Sequence, residues 1–407
     1  MGKFWIAPLL VFVGAMSACE ESAAPRPSSN SGIRFNEILS STLPGNFTRV
    51  YRGRRFTFPI DHVAHSEYKS ERWSFSGNVQ TDSGRRFGYQ LTIFRVGLAG
   101  ENTNSINRKN FARTQDETKS KKSRWRAKNY YIAQFSVSDV LTKRYLAFER
   151  IQRNSLGLAG ALRKGENSKG GSNGVRIWVD DWNVDSISES FLPLRISVEL
   201  NKVSIKLHLD ELKSIVLNGN EGLFQMGRKP GNASYYYSMP RLDTTGTVVI
   251  KGETFRVSGV SWLDHEWSTS ILEPGLVGAD LFTLQLDDGR ELMFSNLRRE
   301  DDSKDSNSMG NLVHKDGSYE TILSREVEIS IDDYWQSPQS GINYPAAWTI
   351  KLLRHEFELT VTPVFPDQEL DFSIKSWKGL VDVTGRNLNG DQTAIIGHGY
   401  VSLNGYR

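Results

Sequence analysis

The chain has 407 residues, with 50 Lys and Arg against 47 Asp and Glu, for a formal net charge of +3. That near balance argues against a nucleic-acid binder driven by bulk positive charge, and the length exceeds what one hydrophobic core usually fills, so two domains are expected. The single cysteine, Cys19, excludes a disulfide framework and a cysteine-based metal cluster.

In chain order, Lys3 supplies a positive start and residues 4–13 (FWIAPLLVFV) an apolar core too short for a comfortable membrane span. Small residues then lead into Met16-Ser17-Ala18-Cys19. The pattern predicts an export signal over residues 1–18. The tripeptide before Cys19 resembles the lipobox of bacterial lipoproteins, which implies a diacylglycerol on the Cys19 sulfur and makes Cys19 the expected lipidation site. An ordinary secretory signal with a chance cysteine is the plainer alternative, but lipidation explains why an exported chain keeps one thiol. Residues 19–46 are polar and rich in Pro and Ser, as a lipidated tether requires. Glu20 follows the cysteine where inner-membrane lipoproteins of Gram-negative bacteria resemble one another in carrying Asp, so the implied address is the outer membrane, facing the periplasm. No second long apolar run follows, which leaves the lipid as the expected membrane contact.

From residue 47 onward the dominant period is two. Phe87, Tyr89, Leu91 and Ile93 alternate with Gly88, Gln90 and Thr92, and Val203, Ile205, Leu207 and Leu209 alternate with polar neighbours. Turn punctuation such as Asp82-Ser83-Gly84, Asp287-Asp288-Gly289 and Asn389-Gly390 bounds these runs. The prediction is an all-β chain of antiparallel sandwiches or barrels. Both halves carry a strand, an acidic-Gly turn and an aromatic strand, which two tandem barrels would explain. The turn-rich stretch at 227–231 ahead of Pro240 suggests the join, giving an N-terminal domain over 47–238 and a C-terminal one over 239–407. Residues 137–151 are the best candidate for a short helix or irregular connection. A basic stretch over 108–128 is expected to be a solvated loop, or else a contact for anionic lipid or lipopolysaccharide phosphate.

Motifs for serine hydrolysis, phosphate loops and HExxH zinc sites are absent. His62 and His65 stand three apart beside Asp61, but an extended context favours a structural pair over zinc, and no metal or other cofactor is expected. The densest cluster is Trp262-Leu263-Asp264-His265-Glu266-Trp267. On a strand, Asp264 and Glu266 point one way and His265 the other. Indole neighbours would desolvate a carboxyl, raise its pKa and keep it protonated for general-acid work; the alternative is a salt-bridge network at a barrel lip. Glu71-Arg72-Trp73, Asp180-Asp181-Trp182 and Tyr235-Tyr236-Tyr237 ahead of Arg241 are further acidic–aromatic joins, equally suited to a barrel mouth or a strand end. With 10 Trp, 14 Tyr and 20 Phe, the chain has enough aromatic surface to line an apolar cavity or to fill two cores.

Phe58-Pro59-Ile60-Asp61-His62-Val63-Ala64-His65 and Glu71-Arg72-Trp73-Ser74-Phe75-Ser76-Gly77-Asn78 resemble the opening pattern of one family, in which the second phrase runs EWWYFTGN. The phrases around Arg86–Arg95, Ala233–Leu242, 262–268, 285–293, 367–370 and 399–406 continue the match. By these motifs the chain resembles the AttH and carotenoid 1,2-hydratase (hydroxyneurosporene synthase, CrtC-like) lipocalin-like family from about residue 56 to the end. The resemblance implies two tandem lipocalin-like antiparallel β-barrels. It matches Asp264 to a catalytic acid, His265 or Glu266 to the group holding water, and Trp262 or Trp267 to the stabiliser of a carbocation. Glu71, Arg72, Trp73, Tyr236 and Arg241 are candidate ligand contacts. Arg72 replaces the first Trp of the EWW pattern and Ser74 its Tyr.

Two functions follow as expectations. One is an anchored lipocalin-like binder or carrier of a hydrophobic lipid or isoprenoid in the periplasm, partnered with an ABC transporter as some relatives of the family are. The other is a hydro-lyase that hydrates an isoprenoid or carotenoid double bond by carboxylic-acid protonation.

Overall fold

The computed structural model describes residues 47–98, 127–164, 174–270, 273–391 and 393–407. The export signal, Cys19, the tether and most of the basic stretch lie outside them. The first sheet contains β1 (Ser70–Gln80), β2 (Arg86–Gly97), β3 (Asn129–Asp139), β4 (Arg144–Arg153), β5 (Ala159–Arg163), β6 (Val175–Val179) and β7 (Trp182–Ser186). It continues with β8 (Leu194–Leu200), β9 (Val203–Glu211), β10 (Val216–Leu217), β11 (Leu223–Gln225), β12 (Ala233–Ile250) and β13 (Glu253–Ser268). The second holds β14 (Leu276–Leu286), β15 (Glu291–Arg299), β16 (Met309–Val313), β17 (Tyr319–Leu323) and β18 (Val327–Gln336). Its remaining strands are β19 (Asn343–Leu352), β20 (Phe357–Pro363), β21 (Glu369–Leu370), β22 (Ser376–Asn387) and β23 (Ala394–Asn404). Every pairing is antiparallel, and the two sheets curl into a nearly closed barrel and a half-barrel around separate cores. The all-β, two-barrel expectation therefore holds. Among the described residues no helix is long and apolar enough to cross a membrane.

The order of the first sheet is β4-β3-β2-β1-β13-β12-β9-β8-β7-β6-β5. The last two strands in sequence thus close beside the first, and the passage from one sheet to the other falls between Ser268 and Leu276, not at 238/239. The turn-rich residues 227–231 are only the link from β11 to β12. A β12–β13 hairpin assigned to the second barrel would have left β1 without its partner. Residues 137–151 likewise form the β3–β4 hairpin, not a helix: Phe135 and Val137 fill the core while Leu146 and Phe148 pack beside them. Asp180-Asp181-Trp182 is the β6–β7 turn, with Trp182 fully inside the core.

The barrels are joined by polar side chains that are themselves buried. Glu291, with no exposed surface, accepts from Lys213 Nζ at 2.7 Å and pairs with Arg241. Gln285 Nε2 donates to the carbonyls of Pro240 and Ser261 at 2.8 and 3.1 Å, and Gln134 Nε2 to that of Ile374 at 2.9 Å. A register shift between Met239 and Leu242 accommodates Pro240 within β12 and turns Arg241 toward Glu291. At Gly88 the barrels pack tightly: a Cβ there would stand 2.5 Å from the Tyr400 hydroxyl. Each such bond replaces contacts with water, so the seam is held only in this one alignment of the two sheets.

Candidate functional site

Strand alternation sorts the residues around β1 and β13 onto two faces. Inside the first barrel lie Glu71, Trp73, His265 and Trp267; outside, toward the second barrel, lie Arg72, Ser74, Trp262, Asp264 and Glu266. The sequence-level site residues are therefore not one constellation but two, back to back across a single sheet. Arg241 belongs to neither and is committed to Glu291.

The inner group is a hydrogen-bonded chain around Glu71. Arg95 Nε donates to Glu71 Oε2 at 2.8 Å, and its other nitrogens bond Asn129 Oδ1 and the carbonyls of His65 and Tyr68. Glu71 Oε1 lies 2.7 Å from His65 Nδ1 and 2.9 Å from His265 Nε2. His65 Nε2 reaches Asp61 Oδ1 at 3.1 Å, and Asp61 also pairs with Arg54. Burial works against a charged Glu71, yet His65 and Arg95 outweigh it and hold the carboxyl well below the usual range. Burial likewise opposes charge on His65, but Glu71 and Asp61 raise its pKa, so both ring nitrogens donate. His265 is different: burial lowers it to about 4, so it is neutral. Its Nε2–H then points at Glu71, leaving Nδ1 to accept from Tyr237 Oη at 3.0 Å, while Tyr237 Oη accepts from His62 Nδ1 at 2.5 Å. One consistent set of protons satisfies the whole chain. His65 is stacked on Trp267 at 3.8 Å, and Trp73 Nε1 donates to the His62 carbonyl.

His65, Glu71 and His265 are the group among the described residues whose donor atoms converge as a metal site would, within 4.8 Å of one another. The Arg95 guanidinium and a protonated His65 already neutralise Glu71, so the donor set suits protons better than a cation. This network clamps the segment before β1 across the barrel mouth and fixes β1 against β13.

The outer group is built on one register row. Ser238, Asp264, Ser74, Thr92, Gln134 and Glu149 sit opposite one another across β12, β13, β1, β2, β3 and β4. Asp264 is 4 % exposed, and Oδ1 accepts from Ser238 Oγ at 2.6 Å and Trp262 Nε1 at 2.8 Å. Burial pushes its pKa up; Arg72, Ser238 and Trp262 pull it down without reversing the shift. The Tyr236 hydroxyl lies buried beside it and also pulls its pKa down. One position along, Arg72 Nη2 meets Glu266 Oε2 at 2.9 Å and Ser234 Oγ donates to Oε1 at 2.7 Å. Arg72 and Glu266 are about a fifth exposed (20 % and 22 %), so this is where the seam meets solvent. Tyr236 and Trp262 pack with Leu281 and Met293 of the second barrel, and with the partly buried Met226 and Met309. Lys378, from β22, reaches across to Thr92 Oγ1 at 3.2 Å.

A family model described as AttH-like matches residues 49–406. The chain belongs to the AttH-like family. A crystal structure of an AttH candidate from Nitrosomonas europaea is similar at 27 % identity and TM-score 0.72, over 88 % of this chain and 99 % of that one. Kievitone hydratase from Nectria haematococca is similar at 15 % identity and TM-score 0.61, over 89 % and 97 %, which is a likeness of fold. No curated protein matches. For an AttH-like chain, the EWW-type phrase places Arg72 on the seam and Trp73 in the barrel.

Sequence reasoning missed Arg95, Lys378, Thr92 and Ser238, and it set aside His65. Their motifs are unremarkable; Arg95, Thr92 and Ser238 are placed by hairpin partners and Lys378 by docking of the second barrel.

The inner network has a pH signature. A raised His65 contributes stability that is complete below its unfolded value near 6.5 and is lost as pH rises through the folded value. Glu71→Gln removes its anionic partner and strands Arg95. We expect this variant to lose about 3 kcal/mol or more in chemical denaturation at pH 6, with the gap narrowing, but not closing, as pH rises above that folded value. An equal gap at every pH would mean that His65 is neutral in the fold.

Proposed function

We propose that this AttH-like protein takes an apolar, unsaturated ligand into the seam between its barrels and adds water to a double bond there, with Asp264 as the acid. The observation that carries the reading is the Asp264 carboxyl, buried, bonded only by neutral donors and raised in pKa. A carboxyl kept uncharged by an apolar setting can deliver a proton that an ionised one cannot. The Ser238 and Trp262 hydrogen bonds both fall on Oδ1, which favours Oδ2 for the proton. Its transfer to one alkene carbon forms a C–H bond from the π pair and leaves a tertiary cation on the other. Water then bonds to the cation and gives its surplus proton to a carboxylate, so the sum is one water added. Trp262 and Tyr236 offer aromatic faces to the cation. Glu266, on the same face and near solvent, is held by Arg72 and Ser234 where a water could be received. The likeness to kievitone hydratase agrees with this chemistry but at 15 % identity supports only the fold.

A second reading, a carrier without chemistry, is favoured by one observation: the Arg72–Glu266 pair bridges the mouth, and Arg72 puts a cation where the family's pattern has an indole. The two readings separate on one experiment. Purified protein incubated with an acyclic isoprenoid hydrocarbon is expected to form the hydrated product by mass spectrometry. Asp264→Asn, which keeps size and hydrogen bonding, is expected to cut that rate by about 10²–10⁴-fold. No product, with the same lipid co-purifying with wild type and Asp264→Asn, would support the carrier and overturn the enzyme.

The proposed setting is a lipid-anchored protein facing the periplasm. Radiolabelled fatty acid should enter the wild-type protein in growing cells and not Cys19→Ser; label in both would remove Cys19 as the anchor.

A further inference from the structure

Lys378 is the charge that the account above leaves without work. It is 3 % exposed, it comes from the second barrel, and its one hydrogen bond among the described residues is to a neutral hydroxyl, Thr92 Oγ1, at 3.2 Å. No carboxylate lies within ion-pairing distance of it among the described residues. The Phe94 ring lies 5.4 Å from the amine. An ammonium has three N–H donors and here uses one. Burying such a group without a counter-ion is costly. Burial, and then the nearby Arg72 charge, bring its pKa down to about 7.

Arg72 is the second cation on this face. The residue opposite it on β2 is Phe94, and the next outward position on β1 is Ser74, whose hydroxyl bonds Thr92 Oγ1 at 3.1 Å. Only one Arg72 nitrogen, Nη2, is taken by Glu266, so part of its fork of donors is free to bind oxygen atoms. Lys378, Thr92 and Ser74, all buried, and the partly exposed Arg72 thus lie together near Phe94 on the seam face. Asp264 lies in the same register row as Thr92, two strands away, which is roughly 10 Å at the usual inter-strand spacing. The apolar side chains of Trp262, Leu281 and Met293 continue beyond it.

We propose that Lys378 and Arg72, with the Thr92 and Ser74 hydroxyls, bind the anionic head group of the ligand, a carboxylate or a phosphate, while its apolar tail runs along the seam past Asp264. An anion here supplies the counter-ion that Lys378 lacks and relieves its repulsion from Arg72. The inference deepens the proposed function and rests on the seam being the ligand site.

Three ligands with one tail and different heads test it: oleate, oleyl phosphate and oleyl alcohol, titrated into the full protein and followed by tryptophan fluorescence. At least one anion is expected to bind about tenfold or more tightly than the alcohol, and which of them does so identifies the head group. Lys378→Met should abolish that preference, and Thr92→Val should weaken it in a protein that keeps both cations. Equal affinity for alcohol and anions in the wild type overturns the inference while leaving the seam as an apolar site. A preference that survives Lys378→Met in a folded protein overturns it as well. If none of the three binds, the seam is not the ligand site and both readings fall together.

Discussion

A carboxylate with no exposed surface organises the first barrel. Glu71 is held by a guanidinium and two imidazoles, and each of those is held in turn by a carbonyl, a carboxylate or a phenol. A buried ion of this kind adds little net stability over an apolar core, but it tolerates no alternative geometry. His65 comes from before β1, Glu71 from β1, Arg95 from β2 and His265 from β13, so the network can close only when those strands are in one register. That register decides the rest. Slipping β13 by one residue would turn Asp264 into the barrel and His265 out to the seam.

The two faces of this sheet carry opposite electrostatic solutions. Inside, the charges are paired: Glu71 goes down and His65 goes up, while burial keeps His265 neutral between them. Outside, Asp264 on β13 goes up, and Lys378, reaching in from β22 of the second barrel, comes down to about 7. A saturated network has no capacity left for a ligand, whereas a face with a buried carboxyl raised in pKa and a buried amine without a counter-ion does. The inner group is therefore the frame and the outer group the workplace. The motif that first drew attention, Trp262 to Trp267, serves both by alternation.

Much of this was legible in the residues. Period-two runs bounded by Asp-Gly and Asn-Gly turns indicated antiparallel strands, and simple alternation set Asp264 and Glu266 apart from His265. What failed did so for physical reasons. The β3–β4 turn has no glycine; Lys143 adopts the left-handed conformation itself, with φ of 50°, so the hairpin lacked its usual signal. The domain join was misplaced because glycine-rich residues at 227–231 look the same whether they link domains or strands. Arg95 and Lys378 were invisible because nothing local distinguishes a strand arginine facing a buried glutamate, or a lysine facing another barrel, from a solvated one. Such residues are defined by strand pairing across 194 residues between Glu71 and His265, and by docking across 286 between Thr92 and Lys378.

The central claim is that the seam holds Asp264 as an acid, uncharged at neutral pH. Infrared difference spectroscopy of the wild type against Asp264→Asn at pH 7 measures this directly. The account requires a protonated-carboxyl band that disappears in the variant. Loss of an ionised carboxylate band instead would show that Asp264 is charged in the fold, and the seam could not then work as described.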